Sequence, residues 1–292
     1  MKKVCIIGLG LIGGSLAIEL RTNMMASTIY GVDSNPEHAN TAMQLQLADH
    51  ISTLDDGITE SDLIILATPV DVSCRLLPYI LDRITPIQTV TDVGSIKGDL
   101  LDIAEKHPMR SRYVAAHPMA GTEFSGPSAA QPNLFYGKAC IVCNPDETDN
   151  DALQVVRDLF RKAGMHIIYM DAHRHDVHVA YVSHISHITS FALGLTVLEK
   201  EKDEKHIFEL ASGGFTSTVR LANSAASMWT PILLRNKESV LEVVRTYSEK
   251  LKALEDAIHT GNAETLNSLI KEANRVNAIL TKKKQQPQWI IN

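Results

Sequence analysis

Up to about residue 170, short apolar runs alternate with stretches whose apolar positions recur at helical spacing. The runs Lys3–Ile7, Thr28–Val32, Leu63–Thr68, Thr89–Asp92, Val114–Ala116, Ala139–Cys143 and His166–Tyr169 predict strands. Between several of them, Gly13–Asn23, Pro36–Leu47, Asp71–Ile80 and Asp151–Ala163 predict helices. Strands that are apolar almost throughout, alternating with helices, predict an α/β fold with a doubly wound, mainly parallel sheet. After Asp171 the strand runs stop. Apolar residues then recur at helical spacing, as in Ile185-Ile188-Ala192-Leu195 and Leu241-Val244-Leu251-Leu254-Ile258. The pattern predicts two domains: an α/β domain over 1–170 and an all-helical domain over 171–292.

Composition adds constraints rather than a function. With 45% apolar and 21% charged residues and a mean hydropathy of −0.03, the chain reads as globular. A net charge of −6 without a long basic block speaks against nucleic acid or an anionic membrane as partner. The short run Lys282–Lys284 suits a helix C-terminus complemented by cations. Four cysteines make no disulfide framework. Cys140 and Cys143 form a CxxC, but three residues apart on a strand they point to opposite faces, so they read as core thiols in a reducing cytoplasm. Met1-Lys2-Lys3 and the uncharged run that follows imitate a secretory signal. The run is shorter than the roughly 20 residues that span a bilayer, carries glycines in a turn pattern and lacks a cleavage site, so it reads as folded structure in a cytoplasmic protein. No further domain is expected at either end.

Gly8-Leu-Gly10-Leu-Ile12-Gly13 follows the first strand and opens the first helix. In that setting Gly8 permits the tight turn, Gly10 lets the backbone approach a pyrophosphate, and Gly13 lets helix and strand pack closely. Asp33 ends the second strand, where a carboxylate accepts hydrogen bonds from a ribose 2′-hydroxyl and repels a 2′-phosphate. No Arg follows it, which favours NAD over NADP. Thr68 and Pro69 end another strand at the edge where a nicotinamide would lie, and Ser95 and Lys97 follow the next strand at the same edge. The candidate cofactor residues are Gly8, Gly10, Ile12, Gly13, Asp33, Thr68 and Pro69.

His117, delivered by a strand end and followed by Pro118, is placed to act as a general acid–base group. His173, His175, His178, His184 and His187 crowd the start of the helical part. His184 and His187 share a helical face, but His178 and His187 oppose each other and His173 lies about 16 Å along the axis from His184, so no shared metal is expected. His173, His175 and His178 read as surface or capping residues.

GLGLIGGSLA at 8–17, DVGSIK at 92–97, HPMAGTE at 117–123, SHISH at 183–187, ASGGF at 211–215, TVRLANS at 218–224 and MW at 228–229 occur in order. Together they resemble the prephenate/arogenate dehydrogenases of tyrosine biosynthesis over nearly the whole chain. The resemblance implies an NAD(P)-dependent oxidative decarboxylation of prephenate to 4-hydroxyphenylpyruvate, on a Rossmann-type domain followed by a helical domain that forms a homodimer. It implies that His117 is the catalytic histidine, with Ser95 orienting it or the substrate hydroxyl. Ser183, His184 and His187 would line the substrate pocket, Arg220 would bind a substrate carboxylate, and Glu123 would lie near the pocket mouth. Two departures fall on the substrate side: Ser186 stands where the family has Pro, and Thr216-Ser217 where it often has Arg-Asp. Another two-domain NAD-dependent dehydrogenase of hydroxy or imino acids, or a non-catalytic NAD-binding sensor, are the competing expectations.

Overall fold

The computed structural model describes residues 2–285, with side chains to 281. The basic run at 282–284 therefore has its side chains outside the described residues. Two compact units divide the chain, residues 1–239 and 240–292.

In the first unit the chain runs β1 (Lys2–Ile7), α1 (Leu11–Thr22), β2 (Ala26–Val32), α2 (Pro36–Gln44), β3 (His50–Ile51), α3 (Leu54–Glu60), β4 (Leu63–Leu66), α4 (Val70–Leu81), β5 (Thr89–Asp92), α5 (Gly98–Ala104), β6 (Tyr113–Pro118), β7 (Ala139–Cys143), α6 (Asn150–Lys162) and β8 (His166–Met170). Among the described residues these strands form one sheet in the order β3-β2-β1-β4-β5-β6-β7-β8. Every neighbouring pair is parallel except β6 and β7. The strand order reverses direction at β1, and the crevice between β1 and β4 is where such sheets bind ligands. All seven predicted strands are present. The two-residue β3 and the seven-residue helices α3 and α5 are too short to carry a periodic signal.

Both sheet faces are covered, which is why the central strands are apolar throughout: Val4, Cys5, Ile6, Ile64, Ile65 and Val114 are fully buried. Cys140 packs in the core on one face and Cys143 in the core on the other, as the alternation along a strand requires. Burial pushes both thiols up, Cys143 to about 12. The opening apolar run is β1, at the centre of the sheet.

After β8 come α7 (Ala172–Val179), one π-helical turn (Ala180–His184), α8 (Ile185–Glu201), α9 (Gly213–Val219) and α10 (Ala226–Arg235). The side chain of Asp171 caps α7 by accepting the Arg174 N–H at 2.9 Å. α11 (Lys237–His259) and α12 (Ala263–Gln285) follow, and the second unit comprises α12 and all but the first turn of α11. No helix among the described residues is long and apolar enough to cross a membrane.

Candidate active site

The glycine loop after β1 has the geometry its sequence requires. Gly8 adopts φ +97°, and a Cβ there would stand 2.6 Å from the Ala67 carbonyl oxygen. A Cβ on Gly13 would stand 2.0 Å from the Gly8 carbonyl oxygen, so helix and loop meet there backbone to backbone. Gly10 faces open space, with nothing within 4 Å of where a Cβ would be. No side chain caps α1, and no acidic residue lies in its first turn. An uncapped helix start beside an open glycine cradle fits a pyrophosphate. Leu11 and Ile12 begin that helix.

Asp33 braces the same loop: its Oδ2 accepts the Leu9 N–H and its Oδ1 the Asn35 N–H, both at 2.9 Å. The remaining lone pairs of the carboxylate can accept ribose hydroxyls. Thr68, after β4, holds its hydroxyl 2.8 Å from that of Ser73. Pro69 is exposed beside it.

His117 lies in β6 with its side chain at the buried end of the strand, the residue being 8% exposed. Its Nδ1 is 2.8 Å from Nε2 of His175, and Nδ1 of His175 is 2.8 Å from Oδ1 of Asp176. His175 is only 1% exposed. The surface or capping role expected for it is therefore wrong; α7 turns it inward onto the strand end. His173 and His178, by contrast, are exposed as expected. No group of histidine, cysteine and acidic residues among the described residues is arranged to hold a metal.

Behind the strand end lies a second buried cluster. Lys97 is fully buried, ion-paired with Asp92, and donates to the Ala116 carbonyl at 2.8 Å. Asp92 also accepts the Tyr113 hydroxyl at 2.7 Å and the Gly94 N–H at 2.8 Å. This cluster pins the peptide immediately before His117. Ser95 is half-buried in the adjoining loop and has no side-chain hydrogen bond among the described residues. The group that bonds His117 is His175.

Burial above all holds His117 well below the ordinary histidine range, and the Lys97 ammonium nearby acts in the same direction. Burial pushes His184 down to about 4, against the opposing pull of Asp176. His187 is also lowered by burial, although the Ser183 carbonyl accepting from its Nδ1 at 3.0 Å works the other way. His187 stacks on Trp229 with centroids 3.5 Å apart, and His184 meets the same indole edge-on at 5.9 Å. Asn236 donates to the Asp176 carbonyl at 2.7 Å and lies 3.2 Å from His184 Nδ1. The buried nitrogens His184 Nε2 and Trp229 Nε1 have no partner among the described residues. Arg220, at the end of α9, is exposed and pairs with Glu123 at 2.8 Å, which joins two residues 97 positions apart. Ser183 is half-buried in the π-helical turn.

Two family models match the chain. The nucleotide-binding domain of prephenate dehydrogenase covers residues 16–169, and the prephenate dehydrogenase dimerization domain covers residues 171–272. The chain belongs to the prephenate dehydrogenase family. It is 31% identical over 273 residues to a prephenate dehydrogenase of Bacillus subtilis, covering 92% of this chain and 74% of that one. The crystal structure of A. aeolicus prephenate dehydrogenase in complex with hydroxyphenyl propionate and NAD+ matches with a TM-score of 0.86 at 32% identity, covering 96% of this chain and 98% of that one. Synechocystis arogenate dehydrogenase matches with a TM-score of 0.75 at 26% identity, covering 95% and 99%. Asp176 and Trp229 have no individual signal in the sequence, and His175 is buried where a surface position was expected. The His175-Asp176 pair carries no spacing signal, because His175 and His117 lie 58 positions apart and only the fold brings them together.

Proposed function

We propose that this chain is an NAD-dependent prephenate dehydrogenase that converts prephenate to 4-hydroxyphenylpyruvate and CO2. The observation that carries the reading is His117: a buried imidazole at a strand end of the nucleotide-binding sheet, kept neutral and with Nε2 left unused by His175. Gly8, Gly10, Ile12, Gly13, Asp33, Thr68 and Pro69 would hold the cofactor, and Asp33 favours NAD over NADP by repelling a 2′-phosphate. A bound nicotinamide supplies the acceptor for the hydride that leaves C4 of the substrate. His117 accepts the C4 hydroxyl proton on Nε2 as the carbonyl forms, which stabilises the positive charge that develops at C4. The carbon–carboxylate bond then breaks, its electron pair restores the aromatic ring, and the resulting phenolate oxygen takes the proton back from His117. No proton is gained or lost overall.

Arg220 suits a substrate carboxylate, because its planar guanidinium matches two oxygens at once. Ser95, Ser183, His184, His187 and Glu123 complete the proposed substrate side. We place the nucleotide-binding domain at 1–170 and the substrate and dimerisation domain at 171–292, a division supported by the residues that the two family models match. A homodimer through the helical domain and a cytoplasmic location belong to the same reading. The second is supported by four buried free thiols.

Following nicotinamide absorbance with prephenate or arogenate, each with NAD+ and with NADP+, tests the proposal. Turnover of prephenate with NAD+ at a higher kcat/KM than every other pairing is the expected result. Turnover of arogenate alone would move the substrate, and cofactor binding without turnover would make the chain a sensor.

A further inference from the structure

The bond between two buried imidazoles decides where their protons sit. Asp176 accepts the Lys97 N–H on Oδ1 and the Gly98 N–H on Oδ2, both at 2.8 Å, at the start of α5. Its backbone carbonyl is held by Asn236 at 2.7 Å. A carboxylate held by two backbone amides on a fixed backbone cannot swing away, and a carboxylate only accepts. The nitrogen facing it, Nδ1 of His175, must therefore carry a proton. When Nδ1 alone carries the proton, His175 presents a lone pair at Nε2, 2.8 Å from Nδ1 of His117. His117 must then donate from Nδ1, which leaves its own lone pair on Nε2. The two rings are edge-on, 78° apart with centroids at 5.0 Å, so the nitrogens meet in the ring planes. Both residues are buried, so water does not compete for either nitrogen.

We infer that His175 and Asp176 are positioning residues: the chain Asp176–His175–His117 holds His117 in the tautomer whose Nε2 can accept a proton. A histidine without fixed partners can carry its proton on either nitrogen, and with the proton on Nε2 it could not act as the base. The same chain stabilises the loaded state. When Nε2 takes the hydroxyl proton, the imidazolium still donates Nδ1–H to His175, and the charge is separated from the Asp176 carboxylate by one imidazole. This logic is that of a serine–histidine–aspartate triad with a second imidazole inserted. Because the proposed reaction returns its proton to the phenolate, the chain has to orient and stabilise, and need not conduct a proton away.

The inference rests on the proposed function for its consequence, but the tautomer can be measured without turnover. Long-range proton–nitrogen correlation spectra of the cofactor-free protein with isotope-labelled histidine, recorded at neutral pH, report it directly, and His117→Asn assigns the signals. The expected result is a His117 ring protonated at Nδ1 and bare at Nε2. Protonation at Nε2 overturns the inference, whatever the enzyme turns over. In the reaction, His175→Phe should lower kcat by roughly 10²–10⁴-fold, the range seen when a base loses its orienting partner. KM for prephenate and the Kd for NAD should stay within about twofold, because neither residue belongs to the binding groups. His175→Gln, whose amide oxygen can still accept from Nδ1, should recover at least about tenfold of that loss. A folded His175→Phe enzyme with wild-type kcat also overturns the inference. If the variants fail to fold, the wild-type spectrum alone decides. Absence of prephenate turnover by the wild type would instead remove the proposed function and leave the tautomer standing.

Discussion

At the scale of single residues, the proposed base His117 is a group whose charged form the protein penalises. Because burial holds His117 well below the usual 6.5, it is the free base throughout the neutral range, and activity falls only when pH drops far enough to protonate it. The kcat profile should thus stay flat through pH values where an ordinary histidine titrates and fall at more acidic pH. His117→Asn should lower kcat by roughly 10²–10⁴-fold, abolish that acidic limb and leave the Kd for NAD near its starting value. A variant that keeps the limb would assign it to another group. Arg220 makes a different case. Its pair with Glu123 is partly exposed, and such pairs contribute about 0–1 kcal/mol, so stability is a poor reason for an arginine here. Arg220→Lys should raise KM for prephenate by about ten- to a hundredfold, the scale of a charged hydrogen bond worth roughly 1.5–3 kcal/mol, with little change in thermal midpoint. Loss of thermal stability at constant KM would mark the ion pair as its whole role.

At the scale of elements, two glycines of the chain's opening turn separate folding from binding. Gly13 meets the Gly8 carbonyl so closely that a Cβ has nowhere to go, whereas one on Gly10 would project into open space from a backbone at φ −76°. Gly13→Ala should therefore cost about 1–3 kcal/mol or more of stability, read as a lower denaturant midpoint. Gly10→Ala should keep the wild-type midpoint and weaken NAD at least about tenfold by calorimetry, because its methyl occupies the space a pyrophosphate needs. The π-helical turn at Ala180–His184 is the other decisive element. Such turns recur at functional sites, and this one ends on His184, which reaches Trp229 together with His187 from the first turn of α8.

At the scale of the whole molecule, buried neutral histidines tie stability to pH. His184 has a folded value of about 4 against 6.5 when unfolded, so between those values the unfolded chain binds more protons. Its contribution is complete above the unfolded value and is lost as pH falls towards the folded one. From about pH 7 to about pH 5 this single group should remove about 2 kcal/mol, with His117 and His187 acting in the same direction. Denaturant titrations across that range should show the loss, and His184→Gln should flatten the dependence. Association is the second property of this scale. In the second unit, Leu251 and Ile258 on α11 and Ile270, Val276, Ile279 and Leu280 on α12 are exposed. Leu251, Ile258 and Ile270 fall within the residues that the dimerization-domain model matches, and Val276, Ile279 and Leu280 continue the exposed apolar set beyond them, so these side chains are expected to meet a second copy. Sedimentation should show a dimer, and Ile279→Glu should shift it towards monomer at least about tenfold in dissociation constant.

Features set by local chemistry were legible from the sequence. The central strands announce themselves because a sheet covered on both faces needs unbroken apolar runs, and the glycine loop does so because only glycine tolerates the close backbone approaches at Gly8 and Gly13. Asp33 follows from its place at the end of β2, and His117 from its place in β6. Short elements such as β3, α3 and α5 escape because packing, not periodicity, makes them regular. Tertiary structure alone decided which of the clustered histidines has a partner in β6. On sequence spacing His173, His175 and His178 are equivalent polar residues of one helix, yet only His175 faces β6 and is buried there. The direction of its proton, and through it the lone pair on His117, depends on two backbone amides at the start of α5, 79 and 78 positions from Asp176 in the chain. A hydrogen-bond chain of that span exists only once the fold has closed.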